Sequence, residues 1–118
     1  MIGVDMVAVA RIEKATARFG DAFLRRYLSD EEIALVHRSE TAAGFWAAKE
    51  AVAKALGTGI GKELGFHDIR LGKRPGGAPY FTLPPSIMRR FNISDTSLSI
   101  AHDGGFAVAV AAIEVASK

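Results

Sequence analysis

The chain has no cysteine, so neither disulfides nor thiolate metal sites can form. Its three histidines, His37, His67 and His102, are too scattered to make a zinc site. Neither sign of charge dominates: fifteen Lys and Arg stand against thirteen Asp and Glu. The resulting net charge of +2 is too mild to argue for a nucleic-acid partner. Long hydrophobic runs are missing as well. The longest, Phe106 to Ile113, falls far short of a membrane span. Asp5 interrupts the apolar opening and no basic leader precedes it, which argues against a signal peptide. The expectation is a cytoplasmic protein that engages neither membrane nor nucleic acid. Linkers, repeats and low-complexity segments are absent, so 118 residues read as one domain spanning 1–118. Apolar residues make up 49%, enough for a real core, at a size where oligomerisation helps.

What the chain does contain predicts an α+β fold, a mostly antiparallel sheet packed against a long central helix and shorter helices. Met1–Val7 alternates as a strand, with Ile2, Val4 and Met6 on one side and Gly3, Asp5 and Val7 on the other. Val9–Phe19 reads as a helix closed by Gly20, and Ala22–Tyr27 as a short second one. Ser29-Asp30-Glu31-Glu32 is a capping box opening a third helix through about Arg38. Thr41 starts the long helix, which ends at Gly57. Strands are expected at Phe66–Leu71 and Pro79–Leu83, flanking the turn Arg74-Pro75-Gly76-Gly77. Pro84–Phe91 suggests a short helix with proline in its first turn. Thr96–Ala101 and Phe106–Val115, joined at Asp103-Gly104-Gly105, form a terminal hairpin.

The long helix carries most of the chemistry. Alanines make it a firm helix, and Trp46, Glu50, Lys54 and Gly57 recur along one stripe. Phe45, Ala48, Val52 and Leu56 form a separate apolar stripe for the core. The glycine-rich stretch that follows is neither of two common phosphate motifs. Gly61-Lys62 is followed by Glu63, and Leu56 occupies the first glycine position of a P-loop. The dinucleotide pattern fails because Lys62 and Leu64 stand where its later glycines belong. What remains, Gly57-Thr58-Gly59-Ile60-Gly61-Lys62, is either a helix terminator or a backbone cradle for phosphate oxygens.

Asp5 lies in an otherwise apolar strand, where a charge is costly unless paired or metal-bound. Together with Glu50 it suits a hard cation such as Mg²⁺, which takes one or two protein carboxylates and completes its octahedron with water and substrate oxygens. The bland alternative is a Glu50–Lys54 surface pair and an Asp5 at an exposed strand end.

Three motifs occur in order: Gly3-Val4-Asp5 with Arg11-Ile12-Glu13, the block from Trp46 through Lys49-Glu50 and Lys54 to Gly57-Thr58-Gly59, and Leu98-Ser99-Ile100-Ala101-His102. Together they resemble the holo-acyl-carrier-protein synthase family of small bacterial 4′-phosphopantetheinyl transferases, over essentially the whole chain. That resemblance implies transfer of the phosphopantetheine arm of coenzyme A to a serine of apo acyl carrier protein, releasing adenosine 3′,5′-bisphosphate, in fatty acid biosynthesis. It implies Asp5 and Glu50 as Mg²⁺ ligands, with Lys54 beside the same phosphates. Gly57, Thr58 and Gly59 would approach the nucleotide, and His102 the coenzyme's adenosine phosphate end. Glu50, directly or through a water, is the candidate base for the serine hydroxyl. Family members are trimers whose neighbouring subunits share each active site.

Acyl carrier proteins are acidic, so a basic face is expected to steer them. Arg11 matches the family's carrier contact. Arg18, seven residues on, and Arg25, after the break at Gly20, extend that reading. Two positions depart from the family pattern. Phe45 stands where many relatives have arginine; if that arginine binds phosphate, another residue such as Arg38 or Lys49 must substitute, or coenzyme affinity is lower. Ala78 stands where relatives often have lysine. Rival readings are a small basic nucleic-acid-binding module, which would not need Asp5 inside a strand, and an inactive coenzyme A binder, which would have lost its Mg²⁺ ligands.

Overall fold

A computed structural model describes residues 1–117. In chain order the elements are β1 (Ile2–Ala8), α1 (Val9–Phe19), α2 (Asp21–Arg25), α3 (Asp30–Ile33), α4 (Ser39–Leu56), a 3₁₀ turn (Phe66–Asp68), β2 (Arg70–Lys73), β3 (Pro79–Thr82), α5 (Pro85–Arg90), β4 (Ile93–Asp103) and β5 (Phe106–Val115). Strands β1, β5 and β4 form an antiparallel sheet in that order, and β2 and β3 form a separate hairpin. The observed fold is the mixed helix and antiparallel-sheet architecture expected.

Helix α4 lies across β1 and β5, and small side chains explain how it gets so close. Ala47, Ala48 and Ala51 on the helix and Ala107, Ala109 and Ala111 on β5 are all fully buried. Gly3 marks the tightest approach, because a Cβ there would run into the Ala51 carbonyl oxygen. The alternation of β1 follows from this packing. Gly3 and Val7 are buried and Asp5 half-buried, while Ile2, Val4 and Met6 point away from α4 and are exposed. A second cluster, of Phe23, Tyr27, Trp46 and Phe66, fills the space beside α2 and α4, with ring centroids 5.0–6.2 Å apart.

Three elements differ from the sequence reading. Helix α3 stops at Ile33 rather than near Arg38, because Leu35 and Val36 bond back only three residues and Arg38 is extended as it enters α4. That helix begins at Ser39, two residues before Thr41. The expected strand over Phe66–Leu71 is a 3₁₀ turn leading into β2. The Asp68 carboxylate accepts the Gly65 N–H at 2.8 Å and curls the chain before pairing begins.

Candidate active site

Asp5 faces α4 from the middle of β1, paired in register with Ala109, so it is not at an exposed strand end. Its side chain is only 15% exposed and accepts a 2.8 Å hydrogen bond from Lys54 Nζ. Lys54 also donates to the Val4 carbonyl at 3.3 Å. The lysine therefore bridges helix to strand rather than pairing with Glu50 along its own helix. Glu50, one turn before Lys54, is half-buried. Burial, and then the negative charge of Asp5, push the Glu50 carboxyl above its usual value against the opposing pull of Lys54 and Arg11. The bond to Asp5 in turn raises Lys54. Asp5, Glu50, Lys54 and Arg11 thus form one electrostatic cluster.

Like charges on Asp5 and Glu50 call for a cation, and both donors are hard oxygens. Among the described residues no group of three or more His, Cys, Asp or Glu is gathered to hold a metal by protein ligands alone. A two-carboxylate set fits Mg²⁺, which keeps water and substrate oxygens in its shell.

The glycine segment begins at the α4 C-terminus. Gly57 caps the helix at φ 78° and donates to the Lys54 carbonyl, and Gly59 (φ 63°) donates to Ala53. Thr58 Oγ1 bonds the Gly59 carbonyl at 2.9 Å, so its hydroxyl supports the turn. The space where Cβ atoms of Gly57 and Gly59 would stand is open, leaving backbone accessible to a ligand.

His102 lies at the other end of α4. Its Nε2 is 2.7 Å from the Glu40 carbonyl, and it borders a cavity of about 120 Å³ with Thr41, Gly44, Phe45 and Lys73. The rise of α4 puts Thr41 and Gly57 about 24 Å apart, so one chain does not bring His102 to its own glycine segment.

Of the three arginines, only Arg11 acts on this cluster, through its charge on Glu50. The Arg11 guanidinium sits 5.7 Å over the Trp46 ring. Arg18, on the same helix, covers Phe19 at 5.1 Å. Arg25 reaches Asp30 at 3.4 Å, with both side chains largely exposed. Trp46, which the stripe placed on the chemical face, packs among the aromatics instead.

Lys49 does not substitute for the missing arginine. It is fully buried, donating to Glu32 Oε1 at 2.8 Å and to the Phe66 carbonyl at 3.0 Å. Lys73 was missed by the sequence reading. It stands 6.0 Å over the Phe45 ring, bordering the His102 cavity. No local motif marks it, since only the β2–β3 pairing brings it there. Lys49 did carry a signal: it falls between Phe45 and Val52 at the four- and three-residue spacing of the apolar stripe.

The fold, a helix buried on a three-stranded antiparallel sheet, is shared with a class of transferases. The chain belongs to the 4′-phosphopantetheinyl transferase superfamily, whose family model matches residues 1–111. Among individual proteins it is 58% identical to the holo-[acyl-carrier-protein] synthase of Wolinella succinogenes over 114 residues, 97% of each chain. The Sulfurovum sp. enzyme of the same name is 56% identical over 113 residues, covering 96% of this chain and 95% of that one. Among solved structures, Helicobacter pylori holo-[acyl-carrier-protein] synthase in complex with coenzyme A superposes with a TM-score of 0.93 at 52% identity, over 97% of this chain and 100% of that one.

Proposed function

We propose that this chain transfers the 4′-phosphopantetheine arm of coenzyme A to a serine hydroxyl of apo acyl carrier protein. Family membership supports the reaction class, and the Asp5–Glu50–Lys54 cluster is the observation that carries the mechanism. The new bond joins the serine Oγ to the phosphorus bearing the pantetheine arm. The bond broken is that phosphorus to the bridging oxygen, which leaves on adenosine 3′,5′-bisphosphate. Asp5 and Glu50 would hold Mg²⁺, which supplies charge neutralisation at the pyrophosphate oxygens. Lys54 would turn its half-exposed ammonium from Asp5 to those same oxygens and offset the charge that builds during attack. Glu50 takes the serine proton through an intervening water, because a carboxylate that holds Mg²⁺ is a weak direct base. Gly57, Thr58 and Gly59 place open backbone beside the nucleotide. His102, Lys73 and Thr41 form the polar rim of a cavity suited to a phosphomonoester end. The exposed Arg11, Arg18 and Arg25 steer the acidic carrier.

The site would be completed by a neighbouring copy in a homotrimer. Two features support this: the separation of His102 from the glycine segment, and an apolar sheet face turned away from α4. Ile2, Val4, Met6 and Val110 on that face are 40–74% exposed, a patch of the kind that marks an interface.

Incubation with coenzyme A, Mg²⁺ and apo acyl carrier protein, followed by intact-mass spectrometry, tests the reaction. The expected result is a phosphopantetheine-sized gain, lost with Glu50→Ala and with chelator. Coenzyme A binding without any gain across several carriers would identify an inactive binder instead.

A further inference from the structure

We infer that the buried Glu32–Lys49 pair is a positioning device that fixes the far end of the glycine segment on α4, and so sets how coenzyme A is held. The inference rests on the transferase reading above. The segment from Gly57 to Gly65 leaves α4 through hydrogen bonds to the helix's own last turn, Gly57 to Lys54 and Gly59 to Ala53. It folds on itself where Gly61 donates to the Leu64 carbonyl at 2.9 Å, and Leu64 is fully buried. Its return ends at Phe66, whose carbonyl accepts the Lys49 ammonium at 3.0 Å. Lys49 lies two turns before the end of α4, so a single helix holds both ends of the segment.

Glu32 makes that grip specific. Its Oε1 accepts Lys49 Nζ and the Ser29 N–H, both at 2.8 Å, and its Oε2 accepts the Leu71 N–H at 2.7 Å. One carboxylate therefore joins the start of α3, the middle of α4 and the first paired residues of β2. It leaves the ammonium a proton for Phe66. Burying two charges is costly, and apolar residues of similar volume often fill such a space with no loss of stability. An apolar pair could not hold the Phe66 carbonyl. The chemistry retained here is the chemistry that grips the segment's backbone.

The test is the double substitution Glu32→Gln with Lys49→Met, which removes both charges together and avoids stranding either one. Steady-state kinetics and hydrogen exchange are measured side by side with the wild-type protein. The expected result is a folded protein whose KM for coenzyme A rises about tenfold, equivalent to about 1.4 kcal/mol of lost binding. KM for the carrier protein stays within about twofold, because the arginine face on α1 is untouched, and exchange accelerates across residues 57–66 and at the Ser29 and Leu71 amides that Glu32 holds, but not elsewhere. A folded double variant with wild-type KM and wild-type exchange over 57–66 overturns the inference. So does a variant that fails to fold, or whose exchange rises throughout, which would assign the pair to fold stability. If the wild-type protein itself transfers nothing, the functional reading fails, and the exchange pattern alone decides whether the pair holds the segment.

Discussion

Three lysines at or beside α4 have three different fates, and each is set by what surrounds the ammonium. Lys49 is desolvated, which lowers its proton affinity against the support of Glu32. Lys54, five residues later, is half-exposed and raised by its bond to Asp5. Lys73 is exposed, its ammonium 6.0 Å from the Phe45 ring centroid. If Lys73 supplies the cation that Phe45 does not, Lys73→Ala should raise KM for coenzyme A about tenfold, the worth of one charge-assisted phosphate contact. Lys73→Arg should restore most of the loss, and dephospho-coenzyme A, lacking the 3′-phosphate, should be indifferent to both changes. Equal losses with the two coenzymes would remove Lys73 from the phosphate. Tyr27 gives a separate pH prediction. It is fully buried, donates to the Ala42 carbonyl at 2.9 Å, and burial pushes its phenol well above the ordinary range. A raised folded-state value stabilises fully below about pH 10, where the unfolded chain is also protonated, and that stabilisation falls by about 1.4 kcal/mol per unit above it. Wild type should therefore exceed Tyr27→Phe by about 1 kcal/mol near neutrality and lose that advantage between about pH 10 and 11 in urea titrations. A difference that stays constant with pH would refute the assignment.

At the scale of elements, α4 and β1 act as a single unit, because they hold one carboxylate each. Gly3 is the contact that sets their separation. A methyl there meets backbone oxygen, which cannot rotate away, so Gly3→Ala should cost about 1–3 kcal/mol, toward the upper end. Asp5 is two residues further along the same strand. Its shift should weaken Mg²⁺ activation as well as lower the melting temperature, both readable on one sample. A destabilised variant with unaltered Mg²⁺ dependence would show that β1 moves without carrying Asp5. This helix and strand were legible in the sequence because alanine content, spacing and alternation are local signals. Phe66–Leu71 was not, since its apolar residues Phe66, Ile69 and Leu71 suggest a strand while the Asp68 carboxylate bonding back to Gly65 decides for a turn. Lys49 was misjudged although its spacing put it on the core stripe. Its partner Glu32 lies seventeen residues away on another helix, and only tertiary packing brings the two together. The Asp5–Lys54 bond spans 49 positions and is equally invisible locally; the carboxylate pair was singled out by residue chemistry and given its ligand role by resemblance, and Lys73 was not found at all.

For the whole molecule, the question is how one coenzyme would reach the groups proposed for it at both ends of α4. His102 borders a cavity near Thr41, while the glycine segment begins at Gly57, about 24 Å along the axis. A head-to-tail ring would answer it by placing the N-terminal end of one α4 near the C-terminal end of another, burying the exposed Ile2, Val4, Met6 and Val110. Glu50→Ala and His102→Ala chains should then each be poorly active alone, yet restore activity when unfolded and refolded together. In a cyclic assembly with random mixing, a site needs an intact Glu50 from one chain and an intact His102 from its neighbour, so roughly a quarter of the sites recover. Light scattering on the same mixture reports the assembly state. Recovery without a ring-sized mass would mean a smaller shared interface. No recovery from a correctly sized assembly would mean that His102 serves the chain it belongs to, and that the coenzyme reaches it by bending back along α4.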